Sequence, residues 1–493
     1  MRKKRLKSLI GIKSAQLTLL LQACGYLAFL LMIGTFLRVK VPLFGRLMLP
    51  ASVIGGFVGL LLGPNVLGEF TGFSLPGITP EFLSVWSVLP GVLIVPIFAA
   101  APLGNGLEPG YVPTDWKKSA PRIMMACGGF AAISTLQSVA GYGTNIVMTK
   151  LGFKGLYRTF GYELGQGFAG GHGTAAGIGG ILEGLGIAEW NESMGVATTC
   201  ATVGLIGGML LGILVINRAA EKGQLEKLGT GGKVGQIPKH MQIGMNLDIA
   251  KQPSMGRDIG QSSCIDTVSI HMALIFMGCA LAYYFRTFMM GCPIPFLANS
   301  FKNIPVWFVA LLMMYIVNYA LKLLKLNWMV DKKVKSRCTG FLSDFAITAA
   351  VASCNVKAVM TFIVPIIVMC IVGFILTYIG VFTFNKWLFK GDYPIERSVI
   401  CWGTNTGVMI TGMMLLKIAD PDYETPALNE FAGGFALMSI ISIFTSPITY
   451  GLIGNQATST LTLLGFNLLL SACYFVLAIV GKLLYEARKR SAA

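Results

Sequence analysis

The sequence predicts an all-α polytopic membrane protein with two inverted repeats of five transmembrane helices, a re-entrant hairpin in each repeat, and an extra C-terminal helix. Composition is the first reason: of 493 residues, 54% are hydrophobic and 12% are charged, and the mean hydropathy is +0.69, which is typical of membrane proteins. The second is a series of apolar stretches near the ~20 residues that a bilayer requires. The third is the glycine-rich stretch Gly161–Gly186, which has a weaker counterpart in the second half.

Apolar stretches predict eleven spans, of which the third and the eighth are the weakest because they are short or carry polar residues. The spans lie at 17–37, 46–63, 86–104, 122–148, 193–216, 266–288, 303–324, 340–356, 359–383, 429–450 and 458–484. They divide the chain into four parts: a first transmembrane repeat at 1–217 with a hairpin at 155–190, a central cytoplasmic loop at 218–265, a second repeat at 266–455 with a hairpin at 394–427, and an extra helix with a basic cytoplasmic tail at 456–493.

The stretch Gly161–Gly186 is too rich in glycine for an ordinary spanning helix, because each glycine weakens a helix by about 1 kcal/mol relative to alanine. We expect two half-helices that meet at Gly170–Thr174. Within a membrane, broken backbone is tolerated only where protein buries it or where it lines a watery cavity, and such breaks indicate a transport site. The alternative is that the glycines only permit close helix packing.

The two halves are related by an offset of 233 residues, which pairs Glu163 with Glu396, Gly170 with Gly403, Gly179 with Gly412 and Leu182 with Leu415. An odd number of spans in each half inverts the second repeat, as in many secondary transporters. The same offset pairs His172 with Asn405, and it predicts that specificity lies at the second tip, where the two hairpins meet. A further motif, Gly204-x-x-x-Gly208-x-x-x-Gly212, predicts a close-packing face within one protomer.

Basic residues outnumber acidic ones, 39 against 22, for a formal net charge of +17. They lie between the apolar spans, so the positive-inside rule explains them better than nucleic-acid binding does. The central loop, the cluster Lys332–Arg337 and the tail Arg488–Arg490 are predicted to be cytoplasmic. The opposite side collects Lys150, Lys154, Arg158, Arg286 and Lys302.

Four features resemble the bacterial sodium:glutamate symporter family: the motifs Leu49–Gly56, Gly170–Ala176 and Cys200–Leu205, and the position of Gln137. The second loop, Cys401–Gly407, departs from the family because it lacks a glycine-rich run around a histidine. The resemblance implies two inverted five-span repeats with re-entrant hairpins, sodium-coupled uptake of an acidic amino acid, and dimers that work by an elevator-like movement.

Half-helix N-termini offer free amide groups to carboxylates, and sodium prefers oxygen ligands at broken helices. The candidate substrate-binding residues are Gly170, Gly171, His172, Gly173, Thr174, Gln137, Gly403, Thr404, Asn405 and Thr406, and the candidate sodium ligands are Thr174, Asp344, Ser343, Asn405 and Thr406. His172 could instead hold its loop together, and Asp344 could be an interfacial acid. Glu163 and Glu396 could sit at the hairpin bases, where an acid favours a helix start.

The sequence therefore predicts a multi-pass secondary transporter of the cell inner membrane, a homodimer that takes up L-glutamate or a related acidic amino acid with sodium as the co-transported ion. No nucleophile and base constellation indicates an enzyme. The alternative is a sodium-coupled symporter of a di- or hydroxycarboxylate, and a distant one is an ion channel.

Overall fold

The computed structural model describes residues 14–46, 49–69, 78–104, 116–225, 245, 248–261, 263–293, 301, 306–354, 356–420 and 425–492. Regular structure within these ranges is helical throughout. Residues 226–244, 246–247 and 262 of the predicted central loop lie outside the described residues. The model therefore bears out the all-α class, and the apolar composition explains why, since a helix satisfies its own backbone hydrogen bonds in lipid.

The described residues of the first half form eight α-helices, which are α1 Ser14–Lys40, α2 Pro42–Arg46, α3 Ala51–Leu62, α4 Pro80–Ala100, α5 Trp116–Lys150, α6 Tyr162–Phe168, α7 Gly171–Gly184 and α8 Trp190–Glu221. A π-helical turn, Pro64–Gly68, follows α3.

Where the structure describes the second half, it forms ten α-helices, which are α9 Thr267–Met290, α10 Val306–Leu323, α11 Lys332–Ala352, α12 Val356–Thr361, α13 Ile363–Ile379, α14 Lys386–Leu388, α15 Pro394–Thr406, α16 Met409–Ala419, α17 Ala427–Gly454 and α18 Thr460–Ala492. A π-helical segment, Gly380–Asn385, joins α13 to α14. Such π segments occur often at functional positions.

Ten helices in the described part of the chain are long and apolar enough to cross a membrane, against eleven predicted spans. The missing one is the eighth, which falls on α11. This helix begins with a charged segment, Lys332–Arg337, and also carries Asp344, so its composition is too polar for an independent span. Packing on α3 and α4 holds it within the fold.

The long helices form two groups, here called bundle I and bundle II. Bundle I consists of α1, α3, α4, α9, α10 and α11, and bundle II consists of α5 to α8, α13 and α15 to α18. Each half of the chain contributes to both bundles. The extra C-terminal helix α18 packs along α5, and α7 contacts both α4 and α11, so α7 joins bundle II to bundle I.

Glycines of α8 seat hairpin residues of the second half. A Cβ atom added at Gly208 would lie 2.1 Å from the hydroxyl oxygen of Thr406, and one at Gly212 would lie 2.6 Å from Leu415 Cδ1. The indole of Trp402 donates to the Gly208 carbonyl at 2.8 Å. The prediction that this glycine face packs within one protomer is confirmed.

Candidate functional site

The first interrupted helix turns at a glycine that adopts a left-handed backbone. Helices α6 and α7 are separated by Ala169 and Gly170, and Gly171 has φ +63°, a conformation that glycine adopts without a Cβ penalty. A Cβ atom added at Gly171 would lie 2.2 Å from Val408 Cγ1 and 2.8 Å from the Gly407 carbonyl oxygen. The turn of the first segment therefore touches the turn of the second.

The second interrupted helix is a hairpin whose arms, α15 and α16, pack backbone to backbone. Gly407 and Val408 separate the arms, and Val408 is fully extended at φ −158° and ψ 173°. A Cβ atom added at Gly403 would lie 2.7 Å from the Cα atom of Gly412. The two glycines thus allow a tight hairpin, in the region where the sequence predicts one.

The offset of 233 residues pairs equivalent positions at the starts of the two interrupted helices, but it does not pair equivalent positions at their breaks. Glu163 and Glu396 are both fully buried in the first turns of α6 and α15. Helix α6 has seven residues and α15 has 13. The first break therefore follows the start of its helix after fewer residues than the second break does. His172 follows its break and Asn405 precedes its own, so the predicted equivalence of these two residues is wrong.

Gln137 connects the second turn to two spanning helices. Its side chain is fully buried on α5, and its Nε2 atom donates to the Asn405 carbonyl oxygen at 2.7 Å and to the hydroxyl of Thr377 at 2.9 Å. One amide group therefore holds the C-terminal end of α15 against α5 and α13.

Two buried carboxamide oxygens beside this contact have no hydrogen-bond partner among the described residues, namely Gln137 Oε1 and Asn405 Oδ1. Leaving such an acceptor unsatisfied costs about 1–3 kcal/mol. The hydroxyls of Thr404 and Thr406 donate to carbonyls of their own helix, so their oxygens keep lone pairs. Oxygen acceptors without donors are the ligands that a hard monovalent cation needs.

The first turn is attached to α8 rather than left free. His172 is buried, and its Nε2 atom lies 3.0 Å from the hydroxyl of Thr202. Gly173 is exposed with open space around it, and Thr174 is half-buried beside Gly170. This arrangement favours the interpretation in which His172 holds its loop together.

Ser343 and Asp344 are not joined to either turn by a hydrogen bond among the described residues. Both lie on α11 in bundle I, and Asp344 is exposed. One turn later, Thr348 donates to the Asp344 and Ser52 carbonyls, which directs this part of α11 toward α3. In the described part of the chain, no hydrogen bond connects the two candidate ligands on α11 to Gln137 or Asn405.

Acidic and basic side chains anchor each interrupted helix near its first turn. Glu163 accepts hydrogen bonds from Tyr157 at 2.6 Å, Ser193 at 2.5 Å and the Gly161 amide at 2.7 Å. At the other base, a network of four charged side chains connects α5, α15 and α17, through Arg122–Asp392 at 2.9 Å, Arg122–Glu430 at 2.9 Å, Arg397–Glu430 at 2.7 Å and Arg397–Asp392 at 3.3 Å.

Two contact residues were missed by sequence reasoning. Thr377 and Thr202 each place one hydroxyl against a predicted site residue. A lone threonine in an apolar span is a weak signal, because its hydroxyl can bond to its own helix. The π-helical segment that follows Thr377 marks this part of the chain as a candidate functional position, but it is visible only in the structure and not in the sequence.

Ten helices in the described residues are long and apolar enough to cross a membrane, which defines a multi-pass α-helical membrane protein. No protein-family model matches the chain, and no curated protein matches it.

Proposed function

We propose that this protein is a secondary active transporter, in which sodium entry drives the uptake of L-glutamate or a closely related acidic amino acid by alternating access. The observation that carries the proposal is the contact between the two helix breaks, where Gly171 meets Gly407 and Val408. Paired breaks in the middle of a helical membrane protein are the usual structural basis of a transport site.

The polarity of the four half-helices supports an anionic cargo. Helices α7 and α16 begin at the breaks, so their free amide groups and positive dipole ends face the contact. Carboxylates of the substrate would bind there, and the glycines of the first turn would let them approach the backbone closely.

The opposite ends of the half-helices support the sodium site. Helices α6 and α15 end at the breaks, where carbonyl oxygens lack intrahelical partners. Sodium would be held by Gln137 Oε1, Asn405 Oδ1 and oxygens of Thr404 and Thr406, which form a neutral, oxygen-only donor set. This choice places the ion at the turns rather than at Ser343 and Asp344.

The two bundles supply a basis for alternating access, since both breaks belong to bundle II and only part of its surface contacts bundle I. The resemblance to the sodium:glutamate symporters supports sodium as the coupled ion, a homodimeric assembly and a location in the inner membrane. Bundle II would then move relative to bundle I while it carries the site.

The test is uptake of labelled L-glutamate into proteoliposomes, with and without an inward sodium gradient. We expect concentrative uptake only with sodium, and a loss of about tenfold or more in Asn405→Ala, the effect of one buried ligand. Asn467→Ala is the matched control, because Asn467 is buried and, like Asn405, donates to the carbonyl four residues earlier.

The outcomes separate the rival functions. Sodium-driven uptake of succinate or malate without glutamate uptake would favour the di- or hydroxycarboxylate symporter. Ion conductance without concentrative uptake would favour a channel, and glutamate uptake that ignores sodium would reject the coupling.

A further inference from the structure

A cavity with a partly polar lining lies apart from the helix breaks, where α7 meets bundle I. It has a volume of about 160 Å³ and is enclosed by α4, the end of α7, α9 and α10. Its floor is made by Gly180 and Gly184 of α7, and α4 crosses α7 beside it at Gly91, whose added Cβ would lie 2.6 Å from Gly180 Cα. The cavity is therefore bounded by both bundles.

Its wall carries one charged donor group, the guanidinium of Arg286, whose Nε atom already donates to the Phe301 carbonyl at 3.1 Å. A guanidinium stays protonated and carries donors only. Trp307 also lines the cavity. Its side chain is only 8% exposed, and its indole N–H has no hydrogen-bond partner among the described residues. A buried indole N–H normally finds an acceptor.

We infer that this cavity is a second binding site for a small organic anion, whose carboxylate accepts from the guanidinium of Arg286 while its carbon chain packs on Trp307, the glycines and the aliphatic walls. A volume of about 160 Å³ corresponds to about five waters, which suits a small carboxylic acid and excludes a nucleotide. Tyr283 at the rim offers a further hydroxyl.

The inference rests on the proposed function in one respect, namely that the anion is the transported cargo. Arg286 is on the side of the membrane that charge distribution predicts to be outside. An anion held there would contact the second arm of the first interrupted helix before it reaches the turns. The cavity is thus an outer site for the substrate on the way to the central one.

The test uses tryptophan fluorescence of the full-length protein in detergent, titrated without sodium at constant ionic strength. The probes are the N-methylglucamine salts of L-glutamate and succinate, with L-glutamine as the neutral probe. We expect a saturable change with the two carboxylate anions that is absent in Trp307→Phe, which removes the reporter from the cavity wall. Arg286→Gln should weaken binding about tenfold or more, the effect of one charged hydrogen bond.

Gly184→Leu provides a variant that fills the cavity and should fold. No atom lies within 4 Å of the Cβ position at Gly184, and leucine is the better helix former. Gly465→Leu is its matched control, because Gly465 is also helical with open space around it but lies on α18. We expect Gly184→Leu to abolish the fluorescence change and Gly465→Leu to retain it.

Equal responses to glutamine and glutamate, or an unchanged response in both Gly184→Leu and Arg286→Gln, would overturn the inference. The response should persist in Asn405→Ala, which alters only the central site. If the wild-type protein binds the anions in this assay but does not accumulate glutamate in proteoliposomes, the proposed function fails and the cavity remains. If it accumulates glutamate but the titration is flat, the cavity proposal alone fails.

Discussion

The contact between the two helix breaks can be tested by one added methyl group, in the variant Gly171→Ala. Gly171 has φ +63°, and an alanine Cβ there would lie 2.2 Å from Val408 Cγ1. The ordinary separation of two carbon atoms in contact is about 3.5–4.0 Å. The methyl group therefore demands a change in backbone conformation and a separation of the two turns.

Two costs add at this position. An L-residue in the left-handed conformation costs about 1–2 kcal/mol, and overpacking a close contact costs about 1–3 kcal/mol. The backbone oxygen of Gly407, 2.8 Å from the same Cβ position, cannot move away as a side chain can. Even the lower sum, about 2 kcal/mol, shifts the balance between touching and separated turns by about 30-fold.

The assay is the initial rate of sodium-driven uptake at a subsaturating substrate concentration, together with the thermal unfolding midpoint. We expect Gly171→Ala to lower uptake by about tenfold or more. Gly186→Ala carries the same type of backbone strain at φ +73° with no atom nearby, and Gly465→Ala, on α18, carries neither strain nor contact. These two controls separate the effect of strain from the effect of the contact.

The reasoning would be refuted if Gly171→Ala transported as well as Gly465→Ala. Equal losses in Gly171→Ala and Gly186→Ala would mean that backbone strain, and not the meeting of the turns, limits transport.

Three further variants test the packing that supports the second hairpin. Arg397→Gln should lower the thermal unfolding midpoint strongly, because Arg397 is buried against Glu430 and removing one partner of a buried ion pair costs about 3–5 kcal/mol. A double-mutant cycle with Glu430→Gln should show a coupling energy well above zero. Gly208→Ala should destabilise the protein far more than Gly451→Ala, because only Gly208 lacks room for a methyl group; similar midpoints would contradict the packing. Trp402→Phe removes one buried hydrogen bond and should reduce the free energy of unfolding by about 1 kcal/mol, and an unchanged midpoint would argue against that bond.

Composition and periodicity predict the spans well because the bilayer imposes length and apolarity on each helix separately. The eighth span shows the limit of this argument. Helix α11 forms with its charged segment Lys332–Arg337 because bundle I packs around it, and packing is not visible in local hydropathy.

The candidate site likewise has features that local sequence predicts and contacts that it does not predict. Glycine density located the break near Gly170, and the repeat located the second hairpin, since both depend on local backbone propensity. The pairing of Gln137 with Thr377 spans 240 residues, and the contact of Gly171 with Val408 joins different halves of the chain. The repeat predicted that the two tips meet, but a single sequence does not show which residues of the two halves touch.

The position of Gln137 also has a consequence for biosynthesis. Its amide group bonds to the Asn405 carbonyl, 268 residues later in the chain, and α5 receives its largest helix partner only with α18. A nascent chain that has inserted α5 must therefore hold an unpaired amide in the membrane while most of the second half is still being translated. Because an unsatisfied polar group in hydrocarbon costs several kcal/mol, the first half is an incomplete insertion intermediate that depends on water, lipid headgroups or an insertion factor until the second hairpin arrives.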